Sequence, residues 1–568
     1  MRLARSVFFV SLFLVIQSAS AVSFDLVVGP YLQNIKRDAV TVMWETATAS
    51  VGKVIYGADV LADSAVDIRN ATMHEVTLTG LTPGTRYTYR CAWGSQLAPP
   101  AQFKTAPSEG TRQCRIVLYG DSRSDTETHS KIAALIAREE PDIVINTGDL
   151  VSDGSQYDQW KPQLFEPILP FASSIPWFTV PGNHEHESVH YYNYMSLPGN
   201  ESWWSTDYAN VHIVGLDSCL ASDEDSEQYR WLLQDLQDNR QEWTLACFHH
   251  PLFTAHPTRS APPYRWAWQS LFQEYGVDLA VSGHDHYYHR TYQIGSVDLE
   301  PKRDVVHITT GGGGASLYPT VEQSYSAYRR SCYHFVVLDV GGDRIVGRVI
   351  DIEGKGIDAF VLDKQSVPSP EEFVSYEALA LESKLLEAVN EILPVAVEGK
   401  ECLVDRDLRT ETGFKVPVVV SGRWEGRQQW SIEPAEFRFS LLPDSPLAIP
   451  MTARVQKANV YPLPTLHLAV TADQSGFRYT DPQIGFRNKT IQARPLKVFT
   501  SEESKPRKIK HKPIIDGHLD EKDWERAFIV DSFLTDEGTA FLAKKTEIIL
   551  MTDKKNLFVG ARVQQNPF

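Results

Sequence analysis

At 568 residues the chain is too long for one hydrophobic core and should divide into several domains of roughly 100–200 residues. Hydrophobic residues at 42% and charged residues at 22% are ordinary for globular protein. The net charge of −17 argues against a nucleic-acid binder working by phosphate neutralisation, which needs clustered Lys and Arg. A phosphate-ester substrate stays compatible with it, because metal ions can supply positive charge locally.

The first segment, 1–21, reads as a secretory signal. Arg2 and Arg5 precede an apolar run from Val7 to Ile16 that is too short to cross a bilayer, and Ala19-Ser20-Ala21 fits the small-x-small cleavage pattern. The expectation is an exported protein (periplasmic, cell-surface or extracellular) with no transmembrane segment. Cys91, Cys114, Cys219, Cys247, Cys332 and Cys402 make no C-x-x-C pair, which excludes a zinc ribbon or a thioredoxin motif. Several lie inside apolar strand patterns, where Cys acts as a small core residue.

Residues 22–108 read as all-β, with runs at 39–44 and 75–78 broken by Gly and Pro. Leu81-Thr82-Pro83-Gly84-Thr85-Arg86-Tyr87 resembles the corner of a fibronectin type III-like sandwich. There a Tyr hydroxyl bonds back to the backbone and a Trp on an earlier strand, here Trp44, fills the core. From 112 to 363 short strands alternate with helical patterns, as at 130–139, where Ile132, Leu135 and Ile136 recur at helical spacing. This predicts an α/β domain. A Glu-rich amphipathic helix is expected over 371–393 as a connector, and a second β-sandwich over 395–497. The basic residues Lys505, Arg507, Lys508, Lys510 and Lys512 read as a solvated linker.

Chemistry gathers where the predicted strands of the α/β region end. The strand at 114–119 runs into Gly120-Asp121-Ser122-Arg123, and that at 142–146 into Thr147-Gly148-Asp149. The strand at 177–180 leads to Pro181-Gly182-Asn183-His184-Glu185, that at 244–248 to His249-His250-Pro251, and that at 277–281 to Ser282-Gly283-His284-Asp285-His286. The carboxyl edge of an open α/β sheet is where ligands bind. Any one fragment alone is most simply a turn or a satisfied core histidine; together they form a coherent oxygen-and-imidazole set suited to Zn, Fe or Mn. Gly311–Gly314 lacks the Lys-Ser/Thr ending of a P-loop and reads as a tight turn after the strand at 305–309. Trp203-Trp204 and the Trp266/Trp268 pair either wall a cleft or pack a core.

The order of these motifs resembles the calcineurin-like metallophosphoesterase superfamily, and the upstream sandwich resembles its purple acid phosphatase branch. The resemblance implies a β-sandwich, then a four-layer α/β metallophosphoesterase sandwich, then further β-sandwich domains. It implies two metal ions (Fe, Zn or Mn) held by Asp121, Asp149, Asn183, His249, His284 and His286, with Asp149 bridging. It also implies hydrolysis of phosphate mono- or diesters by attack of metal-bound hydroxide. His184 would stabilise the transition state or protonate the leaving group, with His250 lining the cleft and His256 near it. The sequence departs from the pattern at one metal. Purple enzymes carry a Tyr where Ser152 stands, other members carry a His where Arg123 stands, and no purple absorption is therefore expected. Arg123 would clamp a phosphate oxygen or pair with Asp121 or Asp149. Finally, Ile515-Asp516-Gly517-His518-Leu519-Asp520-Glu521 with Trp524 and Ala527 resembles the start of a family 9-type carbohydrate-binding module. A partial carbohydrate-binding-like domain is thus expected over 505–568, with polysaccharide as a further partner. The rival reading is a polysaccharide- or surface-binding protein whose phosphoesterase fold is weakly active or inactive.

Overall fold

The computed structural model describes residues 25–296 and 304–366 without interruption and, beyond them, separate segments between 373 and 563. The signal reading at 1–21 and most of the helix expected over 371–393 lie outside the described residues. No helix among the described residues is long and apolar enough to cross a membrane.

The N-terminal unit is one folded-over antiparallel sheet of Leu26–Gln33, Ala39–Gly57, Asp63–Thr79, Arg86–Trp93, Gln96–Leu97 and Ala101–Lys104. The long Ala39–Gly57 strand pairs with Leu26–Gln33 through its first half and with Arg86–Trp93 through its second. Between these halves its register with Asp63–Thr79 shifts, from Glu45 to Ser50. Such an irregularity bends a strand and lets the sheet close over its own core. Trp44 is fully buried there and stacks on His74 with ring centroids 4.7 Å apart. The Thr82 N–H donates to the Tyr87 hydroxyl at 2.9 Å, which is the corner expected from the sequence.

Two sheets build the next unit. One runs Gly356–Asp363, Arg344–Asp351, His334–Gly341, Gln113–Tyr119, Ile143–Asn146, Trp177–Thr179, the last three being parallel. The other runs Trp204–Tyr208, Val211–Gly215, Trp243–Phe248, Leu279–Ser282, Val305–Thr310, Tyr288–Gly295, Ser326–Arg330, with the strands from Val211 through Leu279 and Val305 parallel. Parallel strands covered on both faces are apolar throughout rather than alternating. That explains the uniformly buried Ile143–Asn146, Trp243–Phe248 and Leu279–Ser282.

Side-chain direction sorts the layers. Leu245, Cys247, Leu279 and Val281 join the same core as Ile116, Leu118 and Ile145 of the first sheet. Ala246, Phe248 and Ala280 point the other way, to Leu232, Trp268 and Phe272 of helices Glu227–Asp238 and Arg265–Tyr275. Ile132 and Ile136 of helix Thr126–Arg138 cover the outer face of the first sheet. Helix, sheet, sheet and helix are thus stacked as the sequence predicts. Asp125 caps the Thr126–Arg138 helix by accepting the N–H groups of Glu127 and Thr128. The two units are tied by polar contacts: Tyr157 and Tyr194 donate to the Glu45 carboxylate at 2.7 and 2.8 Å, and Tyr31 donates to the Tyr194 carbonyl at 2.7 Å.

The remaining described segments are strand-rich. Cys402–Thr410, Leu447–Val455 and Trp430–Glu433 pair as one antiparallel sheet, and Val418–Glu425 lies between Glu436–Leu441 and Thr465–Gln474 in another. Near the C-terminus, Thr546–Thr552 pairs with Phe528–Val530 and Leu557–Val563 over a small core of Trp524, Ile549 and Met551. Most of the residues that carry the carbohydrate-module resemblance lie outside the described residues.

Candidate metal centre

The parallel strands of both sheets end on one cleft. Asp121, Asp149 and His284 leave their strands with φ of 54°, 56° and 67°, left-handed values that non-glycine residues adopt rarely and that concentrate at functional sites. The glycines beside them are required by close approach. A Cβ on Gly283 would stand 2.5 Å from Asp121 Oδ2, and one on Gly182 2.4 Å from Asp149 Oδ1.

Asp121 and Asp149 are buried at the centre. Asp121 Oδ2 accepts the His284 N–H at 2.8 Å, and its Oδ1 is buried without a hydrogen bond, 3.3 Å from His286 Nε2. Asp149 Oδ1 accepts the His184 N–H at 3.0 Å and lies 3.2 Å from His249 Nε2. Asn183 Oδ1 sits 3.1 Å from His249 Nε2 and 2.9 Å from His284 Nδ1. All six residues expected from the sequence as ligands are therefore brought together.

Their hydrogen bonds test whether a cation fits. His249 Nδ1 lies 2.9 Å from the Thr147 carbonyl, and His286 Nδ1 lies 2.6 Å from the Ser316 carbonyl. A carbonyl only accepts, so each Nδ1 carries a proton and each ring turns its Nε2 inward. There His249 Nε2 lies 3.2 Å from Asp149 Oδ1, 3.1 Å from Asn183 Oδ1 and 3.2 Å from His284 Nδ1, and His286 Nε2 faces the orphaned Asp121 Oδ1. A cation between them satisfies every one of these atoms. Histidine ligands usually donate their second N–H to a carbonyl in this way. Donor atoms of Asp121, Asp149 and His249, and separately of His249, His250 and His284, lie within 4.8 Å of one another. The residues present fit a metal.

Burial alone would raise the Asp149 carboxyl, but His249 and His184 reverse that and lower it. Burial, followed by the Asp149 charge, pushes Glu185 up to about 7. Burial and the neighbouring His249 push His250 down to about 4, and burial with His249 and His250 holds His284 far below the usual imidazole range.

Arg123 stands beside a site carboxylate. Its Nε donates to Asp149 Oδ2 at 3.2 Å. Ser152, at the expected tyrosine position, shares a hydrogen bond with Ser124 at 2.9 Å and holds Gln163. His184 donates from Nδ1 to the Ser152 carbonyl at 2.6 Å, leaving Nε2 3.8 Å from Asp149 Oδ2. His256 stays on the rim, edge-on to Tyr318 at 5.5 Å, and touches none of the six. The Gly311–Gly314 turn supports the Asp121 loop rather than an anion: Gly313 N–H donates to the Gly120 carbonyl and Ala315 N–H to that of Asp121, each at 2.8 Å. Trp204 and Trp268 are core residues.

Sequence reasoning missed three supports. Glu185 is fully buried and accepts the N–H groups of Asp149, Leu150 and Gly182 at 2.9, 2.8 and 2.6 Å, so it grips two ligand loops at once. Its place directly after Asn183-His184 was the available signal. Arg259 donates to the His284 carbonyl at 2.9 Å and to Asp285 Oδ1 at 2.5 Å, fixing the 284–286 turn. Ser218, just beyond the strand Val211–Gly215, bonds to His250 Nδ1 at 2.9 Å. Nothing in Leu216-Asp217-Ser218 marks it, because an Asp-Ser pair after a strand reads as an ordinary turn.

Comparison with known families gives this cleft a context. Residues 115–288 match the family model Calcineurin-like phosphoesterase, and residues 28–105 match the model Purple acid Phosphatase, N-terminal domain. Over these two regions the chain is purple acid phosphatase-like. Acid phosphatase type 7 of Mus musculus is 28% identical over 365 residues, covering 53% of this chain and 81% of that protein. "Probable inactive purple acid phosphatase 1" of Arabidopsis thaliana is 27% identical over 330 residues, and the match spans about half of each protein, 47% of this chain and 53% of that one. The purple acid phosphatase PPD1 of yellow lupin (Lupinus luteus) shares the fold, with a TM-score of 0.53 at 21% identity over 59% of this chain and 74% of that one.

Proposed function

We propose that the chain is an exported, dinuclear-metal phosphoesterase acting on phosphate mono- or diesters. The observation that carries this reading is the convergence of His249 and His286 Nε2, each fixed by a carbonyl at Nδ1, on Asp149, Asn183 and the orphaned Asp121 Oδ1. Asp121, Asp149 and His286 would hold one ion, and Asp149, Asn183, His249 and His284 the other. The chemistry supplied by two such cations is Lewis acidity: a lowered pKa for a water nucleophile and neutralised phosphoryl oxygens.

The protein's own residues do the rest. Asp149 joins both halves because its two oxygens face opposite partners, His249 on one side and Arg123 on the other. His184 keeps its ring fixed through the Ser152 carbonyl and presents Nε2 to the cleft, where it would carry a proton to the leaving oxygen. Donor type favours Zn, Fe or Mn over Ca. With Ser152 in place of tyrosine, the loaded protein should lack a visible charge-transfer band.

The test is metal content together with hydrolysis of para-nitrophenyl phosphate and bis-para-nitrophenyl phosphate from acid to alkaline pH. Two metals per chain with turnover of either ester supports the reading. No turnover after Mn, Fe or Zn is supplied overturns it and favours the rival, a surface-binding protein on an inactive scaffold. Arg123 seated on Asp149 is the observation that speaks for that rival.

A further inference from the structure

We propose that His250 is a fixed hydrogen-bond donor to a phosphoryl oxygen, presented by Ser218, and not a metal ligand. This rests on the phosphoesterase reading and deepens it.

The argument starts from one hydroxyl. Ser218 Oγ has two partners: it accepts the His250 backbone N–H at 2.9 Å and lies 2.9 Å from His250 Nδ1. The hydroxyl proton has no other acceptor among the described residues, so it is donated to Nδ1. His250 Nδ1 is therefore the bare nitrogen and Nε2 carries the proton. This is the opposite tautomer from His249 and His286, whose Nδ1 protons go to carbonyls. The hydrogen bond on one ring nitrogen decides what the other can do. A ring that presents N–H cannot ligate a cation through that atom, but it can donate to an anionic oxygen.

The ring stands where such an oxygen would be. Its centroid is 4.3 Å from that of His284 and 5.0 Å, edge-on, from that of His249, so it borders the Asn183 side of the cleft. His250 is half-buried, and its Nε2 has no hydrogen-bond partner among the described residues.

Ser218 itself is held. Strand Val211–Gly215 lies directly beside Trp243–Phe248, and Leu216 N–H donates to the Cys247 carbonyl at 2.8 Å. Gln228 clamps the preceding residue, accepting the Asp217 N–H at 2.8 Å and donating to its carbonyl at 2.9 Å. The Tyr264 hydroxyl donates to the Ser218 carbonyl at 3.0 Å. Ser218 is thus a positioning residue that acts through His250.

The experiment measures metal content and the affinity for inorganic phosphate of the metal-loaded full chain and its variants. His250→Ala should keep both metals and bind phosphate about tenfold more weakly, the size expected for one hydrogen bond to a charged group. His250→Gln places an amide N–H near the Nε2 position and should recover most of that loss. Ser218→Ala should weaken phosphate binding by about threefold, and Ser218→Thr should restore it. Loss of a metal in His250→Ala would make His250 a ligand and overturn the proposal. So would unchanged phosphate affinity in His250→Ala while the wild type holds two metals and turns over ester, an outcome that leaves the phosphoesterase reading intact. A wild type that holds no metal and turns over nothing overturns both.

Discussion

The two sides of the cluster are unequally furnished. On one side, Asn183, His249 and His284 converge with Asp149: Asn183 Oδ1, His249 Nε2 and His284 Nδ1 lie 2.9–3.2 Å apart, and His249 Nε2 lies 3.2 Å from Asp149 Oδ1. On the other side Asp121 and His286 stand with Asp149 alone, and Arg123 occupies the space near Asp149 Oδ2. One side offers a closed donor set; the other offers fewer protein donors and a resident positive charge. Metal affinity should follow that difference, because each lost donor weakens a site while a nearby cation opposes it.

The shared carboxylate gives the largest effect. Asp149→Asn should lower ester turnover by on the order of a thousandfold or more, since both ions depend on it, and metal analysis should find fewer than two per chain. Next comes the comparison itself. Asp121→Ala should abolish one metal outright, whereas Asn183→Ala should retain two at saturating metal and show only a weakened affinity. Equal losses in both would mean that the sides are equivalent after all. Glu185→Gln follows. Gln keeps one acceptor where three N–H groups converge, and its NH2 would face donors. Turnover should drop by about 10–100-fold with the metal ligands themselves unchanged, the cost typical of losing a residue that orients ligands.

What the sequence disclosed about this site has a physical pattern. Asp121, Asp149, Asn183 and His284 were legible because each follows a glycine past a strand end, His249 and His286 because they stand in the His-His-Pro and His-Asp-His runs at such ends, and parallel strands in a sheet deliver their ends to one edge. Tyr87 and Trp44 were legible because the corner is local in sequence. Glu185, Arg259 and Ser218 act by gripping backbone across 25 residues or more, as in the Arg259–His284 and Ser218–His250 contacts, and no spacing rule reports that. The Arg123–Asp149 contact at 3.2 Å joins residues 26 apart, and the sequence left Arg123 open to phosphate or to either carboxylate.

Arg123 gives a smaller and opposite effect. Removing its charge by Arg123→Ala should tighten metal binding on the Asp121 side by about tenfold, the scale of a partly screened unit charge a few ångströms away. Titration with Zn or Mn followed by calorimetry reads this directly. Weaker binding instead would show that Arg123 orders Asp149 more than it repels the ion.

The smallest effect lies away from the cluster and separates stability from chemistry. His212, in the second sheet, is buried between Asp207 at 2.7 Å and Asp235 at 2.9 Å. Burial opposes its charge, but the two carboxylates outweigh burial and push the imidazole up to about 9. The folded-state value is then above the unfolded value of about 6.5, so the protonated ring stabilises the fold fully below that pH. The contribution falls as pH rises from about 6.5 and is gone above about 9. His212→Gln should therefore cost roughly 2 kcal/mol at pH 6 by denaturant unfolding, with the gap to the wild type shrinking steadily by pH 9. Metal content and turnover per folded chain should not change, because His212 touches neither side of the cluster. A pH-independent gap would mean that the ring acts by packing rather than by charge.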